Sequence, residues 1–165
     1  MSAKGARLSL KLNKELTSLV NDLSKRENVT VFMTLLTAFK VLLSKYSGQE
    51  DICIGTPVAN RTQTELEGMI GFFVNTLALR SEVSNDLSFQ ELLQEVKQTT
   101  LNAYDHQQVP FEKVVERVVS TRDMSMSPLF QVMFVLQNAP ATGVVELEGL
   151  TLSPYNEKGL SLIHI

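Results

Sequence analysis

The sequence predicts an α/β protein in which a mixed sheet is flanked by helices, and three observations carry that prediction. Apolar residues recur at three- and four-residue steps over several stretches. A continuous apolar run of strand length lies between polar segments. Helical and strand-like patterns alternate along the chain. At 165 residues, 44% hydrophobic and 20% charged, the chain is long enough for one core or one lobe of something larger, and too apolar for disorder.

Taken in order, Arg7 to Leu12 alternates and reads as a short entering strand. A helix follows with Leu16, Leu19, Val20 and Leu23 on one face, ending near Glu27. Thr30 suits the cap of a longer helix, because its hydroxyl accepts from a free first-turn N–H. Phe32, Leu35, Leu36, Phe39, Leu42 and Leu43 form that helix's apolar stripe, and Gly48 stops it as a left-handed cap would. Ile52 to Val58, containing Pro57, reads as a strand buried on both faces. Ala59 to Gly68 is polar, a loop with room for one helical turn.

Phe72 to Val83 reads as a long strand with both faces mostly buried, which leaves Asn75 as a polar group among apolar neighbours. An unpaired buried amide costs about 1–3 kcal/mol, so Asn75 is expected to have partners. Ser88 and Glu91 form a capping box, and Leu87 with Leu92 are spaced as a hydrophobic staple. Phe89, Leu92, Leu93, Val96 and Tyr104 continue that helix to about Asp105. Pro110 suits the first position of another helix, whose buried face would be Phe111, Val114, Val115 and Val118. After a polar loop, Leu129 to Asn138 is expected to be a strand with Phe130, Val132, Phe134 and Leu136 on one face. A last strand is expected from Val144 to Leu152.

Composition excludes several function classes. Net charge is −3 with both signs interleaved, so no basic stripe suggests nucleic acid. No apolar stretch approaches the ~20 residues that span a bilayer, and Met1 to Leu10 lacks the apolar core of a secretory signal, so no membrane partner and a cytoplasmic setting are expected. The single Cys53 lies in an apolar run and reads as a structural thiol. Two histidines and one cysteine, far apart, give no metal-ligand spacing.

Catalytic constellations are equally absent. A nucleophile needs a base within hydrogen-bond reach, and outside the last six residues His106 is the only histidine. It falls at a helix end, where a capping or packing role suits it. Glu65 with Glu67, and Glu146 with Glu148, lie in polar stretches and read as solvated faces. No Gly-rich phosphate loop occurs.

Three peptides nevertheless form a signature. Ile70 to Arg80 reads IGFFVNTLALR, His106 to Glu112 reads HQQVPFE, and Arg122 to Phe134 reads RDMSMSPLFQVMF. Together with LLSKYSGQEDICIGTPVANR (Leu42 to Arg61), these resemble the condensation domains of nonribosomal peptide synthetases, in order and spacing from Arg7 to Leu152. Two departures stand out: Gln108 occupies a position where the family usually has Asp, and Met126 with Ser127 replace the usual Arg-Asn.

The resemblance implies a V-shaped, chloramphenicol-acetyltransferase-like fold of two lobes. The family's HHxxxDG motif, whose second histidine is tied to amide formation, belongs to the N-terminal lobe and does not occur in this sequence. Residues 1–159 are therefore expected to be the C-terminal lobe, inactive alone, with no catalytic residue of its own and a missing N-terminal lobe as its partner. The last six residues, Leu160 to Ile165, match the translated end of a sequencing adapter and are expected to be non-native read-through. In the parent enzyme, donor and acceptor thioesters would arrive on the phosphopantetheine arms of peptidyl carrier domains, meet in a tunnel between the lobes, and form an amide. No cofactor is expected to bind the chain directly.

Within that frame Asn75 is the candidate tunnel-lining residue, with the equal alternative that it only ties its strand to neighbouring backbone. The other motif positions read as architecture: Gly71, Phe73, Thr76 and Arg80 in the first peptide; His106, Pro110, Phe111 and Glu112 in the second; Arg122, Asp123, Ser125 and Pro128 in the third. Two alternatives remain open: a noncatalytic condensation-like module that docks carrier proteins or a tailoring enzyme, and an acyltransferase that uses coenzyme A.

Overall fold

The computed structural model describes residues 5–120 and 126–137. Helix α1 (Lys14–Arg26) starts at Asn13, whose side-chain oxygen accepts from Leu16 N–H. It ends where Asn28 adopts a left-handed φ of 51° and the N–H groups of Asn28 and Val29 close back onto the Lys25 and Ser24 carbonyls. Helix α2 (Val31–Ser47) carries both expected caps: the Thr30 hydroxyl accepts from Met33 N–H, and Gly48 turns left-handed at φ 69°. Strand β1 (Asp51–Val58) leads through the single turn α3 (Thr64–Glu67) to strand β2 (Asn75–Glu82). Helix α4 (Phe89–Asp105) opens on the expected reciprocal capping box of Ser88 and Glu91, and α5 (Phe111–Val118) follows.

β1 and β2 pair antiparallel from Asp51↔Glu82 to Val58↔Asn75. Side chains alternate between the two sides of this hairpin. Ile52, Ile54, Leu77 and Leu79 join Leu36, Val83, Leu92, Val96 and Phe134 in the buried core, so α2 and α4 cover that side. Residues 132–134 run beside β1: Gly55 N–H donates to the Val132 carbonyl, Phe134 N–H donates to the Gly55 carbonyl, and Met133 bridges Gly55 in parallel sense. The architecture is thus an α/β layer with a small antiparallel sheet and a parallel neighbour at its edge.

Several expectations need correction. Residues Arg7 to Leu12 form no strand and are exposed, because no ladder partner lies beside them among the described residues. Leu16 and Leu19 of α1 are also exposed, and so is Leu42 of the expected α2 stripe. β2 begins at Asn75, not Phe72; Phe72 and Val74 are exposed, since β1 ends opposite Asn75 and offers nothing further to pair with. Pro110 is the cap residue of α5 rather than its first helical position, and Val118 is exposed in the last turn. Phe89, in the first turn of α4, is partly exposed.

The expected strand from Leu129 is reduced to isolated bridging. Leu129 has φ 68°, and Phe130 N–H donates to the Pro128 carbonyl in a three-residue turn, which breaks the alternation. Phe130 and Phe134 do not share partners. Phe130 packs on Phe111 and over Gly55, on one side of β1, whereas Phe134 packs between Phe32 and Phe39 of α2 on the other. The expected strand from Val144, the adapter-like tail, and Arg122, Asp123 and Ser125 lie outside the described residues.

Candidate functional site

The first two signature peptides converge at the end of the hairpin where β2 begins. Asn75, half-buried, extends across to the connection between α4 and α5. Its amide nitrogen donates to the carbonyls of Gln107 and Val109, each at 2.7 Å, and its oxygen accepts from Phe111 N–H at 3.2 Å. Two carbonyls facing the nitrogen and an N–H facing the oxygen fix the orientation of the amide. The polar partners expected for Asn75 therefore exist, and they are backbone groups of the second peptide. Pro110 makes this geometry possible: lacking an N–H, it leaves no further donor to satisfy in the tight link, and its carbonyl starts α5 by accepting from Lys113 and Val114.

The neighbouring motif residues hold this link in place. His106 closes α4, where its Nδ1–H lies 2.8 Å from the Asn102 carbonyl; because a carbonyl only accepts, the proton sits on Nδ1. Glu112 lies in the first turn of α5, where its negative charge faces the positive end of the helix dipole. Gln108 reaches Thr62 at 3.5 Å, a long contact from the polar loop. Thr76 pairs with Pro57 in the ladder, and Arg80 forms a bidentate pair with Asp51, 2.8 Å on both arms. That pair is largely exposed; the Arg80 hydrogen bond holds the Asp51 carboxyl below its ordinary range, and Asp51 holds the guanidinium above its own. Pro128 supplies the carbonyl of the turn at Leu129.

Arg61 organises the loop before β2. Its guanidinium stacks 4.3 Å from the centre of the Phe73 ring and donates to the carbonyls of Leu66 and Gly71. A side chain at Gly71 would press on the Phe73 ring, its Cβ only 3.0 Å away. The result is a fixed loop whose apolar residues Met69, Ile70 and Phe72 face outward, with Val74 and Val109 exposed beside them. Asn60, at φ 52°, buries its side-chain oxygen without a hydrogen-bond partner among the described residues. On the outer side of the hairpin, a groove of about 580 Å³ is lined by Cys53, Ala78, Arg80, Val114 and Val132. Burial raises the Cys53 thiol above its ordinary value, which disfavours a thiolate nucleophile.

Two features escaped the sequence reading. Arg61 was legible only as part of a polar loop, since nothing in a sequence tells a stacking arginine from a solvated one. Lys40 left a signal that could have found it: it follows Met33, Leu36 and Thr37 at helical steps, on the buried stripe of α2.

These contacts define a scaffold class: an α/β layer whose polar motif residues, among those described, hold backbone and loops rather than presenting a nucleophile with its base. The family model described as Condensation domain matches residues 1–161. Malpinin synthetase from Mortierella alpina is 50% identical over 153 residues, covering 93% of this chain and 2% of that protein. Among solved structures, the holo four-domain nonribosomal peptide synthetase AB3403, bound to AMP and glycine, matches with a TM-score of 0.80 and 32% identity, over 84% of this chain and 10% of that one. The X-domain from teicoplanin biosynthesis, in its complex with OxyB, matches with a TM-score of 0.64 and 28% identity, over 69% of this chain and 25% of that one. The chain belongs to the condensation-domain family. It spans only a few per cent of the length of the curated relatives it matches. Among the described residues, no single helix is long and apolar enough to cross a membrane.

Proposed function

We propose that residues 1–159 form the C-terminal lobe of a condensation domain that joins carrier-bound thioesters through an amide bond, as one wall of the tunnel in which they meet. The observation that carries this reading is the Asn75 junction. Three hydrogen bonds from one side chain join IGFFVNT to HQQVPFE, so the two signature peptides form a single rigid edge. Rigid positioning is what such a reaction needs from a lobe without a base: holding two thioesters in place makes the attack effectively intramolecular. The sequence has no adjacent histidine pair, so the HHxxxDG base would come from the N-terminal lobe. Substrates would be carried on phosphopantetheine by peptidyl carrier domains, with no cofactor held by this chain. Asn75 acts as a positioning residue at the tunnel edge.

The test is an exchange. Residues 7–152 replace the matching stretch in a condensation domain of malpinin synthetase, and dipeptide formation is measured with loaded carriers. Turnover within about tenfold of the parent is expected, equivalent to about 1.4 kcal/mol of barrier. A folded exchange protein that binds loaded carriers but makes no amide would overturn the proposal.

A second reading has one specific support. The X-domain resembles this chain at 28% identity and is described in a complex with OxyB, so a noncatalytic docking role is compatible with the same scaffold. The 50% identity to malpinin synthetase favours the condensing reading.

A further inference from the structure

Lys40 lies midway along α2, fully buried, among the largest side chains wholly withdrawn from solvent. Its Nζ donates to the Leu79 carbonyl at 2.8 Å and to the Ser81 hydroxyl at 2.7 Å, fastening the helix to the middle of β2. Among the described residues no carboxylate lies within ion-pairing distance of it. An ammonium ion in such a place has lost its water without gaining a counter-ion.

We propose that Lys40 makes the packing of α2 on the hairpin a proton-sensitive joint, held least tightly when the buried amine carries its proton and most tightly when it is neutral.

The surroundings support this. From β1, Asp51 and Cys53 act on Lys40; Asp51 lies on the outer side of the hairpin, engaged by Arg80, and Cys53 is kept protonated by burial. β2 presents a carbonyl and a hydroxyl, with Arg80 and Glu82 on its outer side. α1 meets α2 through the paired hydroxyls of Ser24 and Thr34. From α4 the titratable group packed against the same core is Tyr104, whose burial keeps it neutral. Burial outweighs the attraction of the Asp51 carboxylate and brings the Lys40 amine from 10.5 down to about 8. The sign follows from proton counts. Between these two values the unfolded chain keeps the proton and the folded chain has lost it, so raising the pH favours the folded state. Below the folded value both forms are protonated, and the cost of the buried charge is present in full.

Urea unfolding of the 165-residue chain, followed by far-ultraviolet circular dichroism at several pH values, tests the joint. Relative to Lys40→Met, the unfolding equilibrium constant of the unaltered chain should fall about tenfold between about pH 7 and about pH 9. Lys40→Gln, which keeps a donor but does not titrate, should behave as Lys40→Met and decides the matter if that variant fails to fold. Equal pH slopes for the unaltered chain and the folded variants would overturn the proposal.

Discussion

Gly55→Ala is expected to destabilise the protein by about 2–3 kcal/mol, read as a lowered urea midpoint, the upper end of what overpacking a core costs. A Cβ at Gly55 would stand 2.3–2.8 Å from three atoms of the Phe130 ring, far inside contact distance. Neither side has room to yield. Gly55 is tied to Val132 and Phe134 through its own N–H and carbonyl, and Phe130 is buried against Phe111 at 5.4 Å between ring centres. The double variant with Phe130→Ala should recover about 1 kcal/mol or more of the alanine penalty, because removing the ring removes the collision. Additive losses in that cycle would show that the ring does not dictate glycine at this position.

Asn75→Ala is expected to cost about 1–3 kcal/mol, since three backbone groups of the α4–α5 connection lose their partner in a half-buried place. Asn75→Asp should be worse than alanine, although it is the closer isostere. The carboxylate can still accept from Phe111 N–H, but it turns a second oxygen toward the carbonyls of Gln107 and Val109, where the amide placed its donors. In the exchanged condensation domain, Asn75→Ala should slow amide formation about tenfold or more with carrier binding retained, as loss of positioning does. Unchanged turnover in a correctly folded alanine variant would remove Asn75 from the tunnel edge.

How much of this was legible beforehand depends on how local the cause is. The capping box at Ser88 and Glu91, the Thr30 cap and the Gly48 stop were readable because they are contests between a side chain and its own neighbouring backbone. The apolar stripes of α2 and α4 were readable because burial imposes a period. Strand limits were not: β2 begins where β1 stops offering partners, a fact about residue 58 that the pattern from Phe72 cannot contain. Arg7 to Leu12 alternates as a strand would, yet alternation without a pairing partner forms no ladder. The left-handed turn at Leu129 hid in the same way, since leucine rarely adopts that conformation and nothing nearby announces it. At the candidate site, the sequence marked Asn75 as a polar group needing partners. Which partners it takes, carbonyls 32 and 34 residues away, is settled only by the approach of the α4–α5 connection.

The decisive measurement is an amide-formation assay on the 165-residue chain by itself, supplied with donor and acceptor thioesters on loaded carrier domains. The scaffold contains no histidine pair, and its one described histidine is engaged with the Asn102 carbonyl. No product is expected above the rate without protein. Amide made by this chain alone, at a rate proportional to its concentration, would mean that the chain carries a base of its own and that the scaffold reading is wrong.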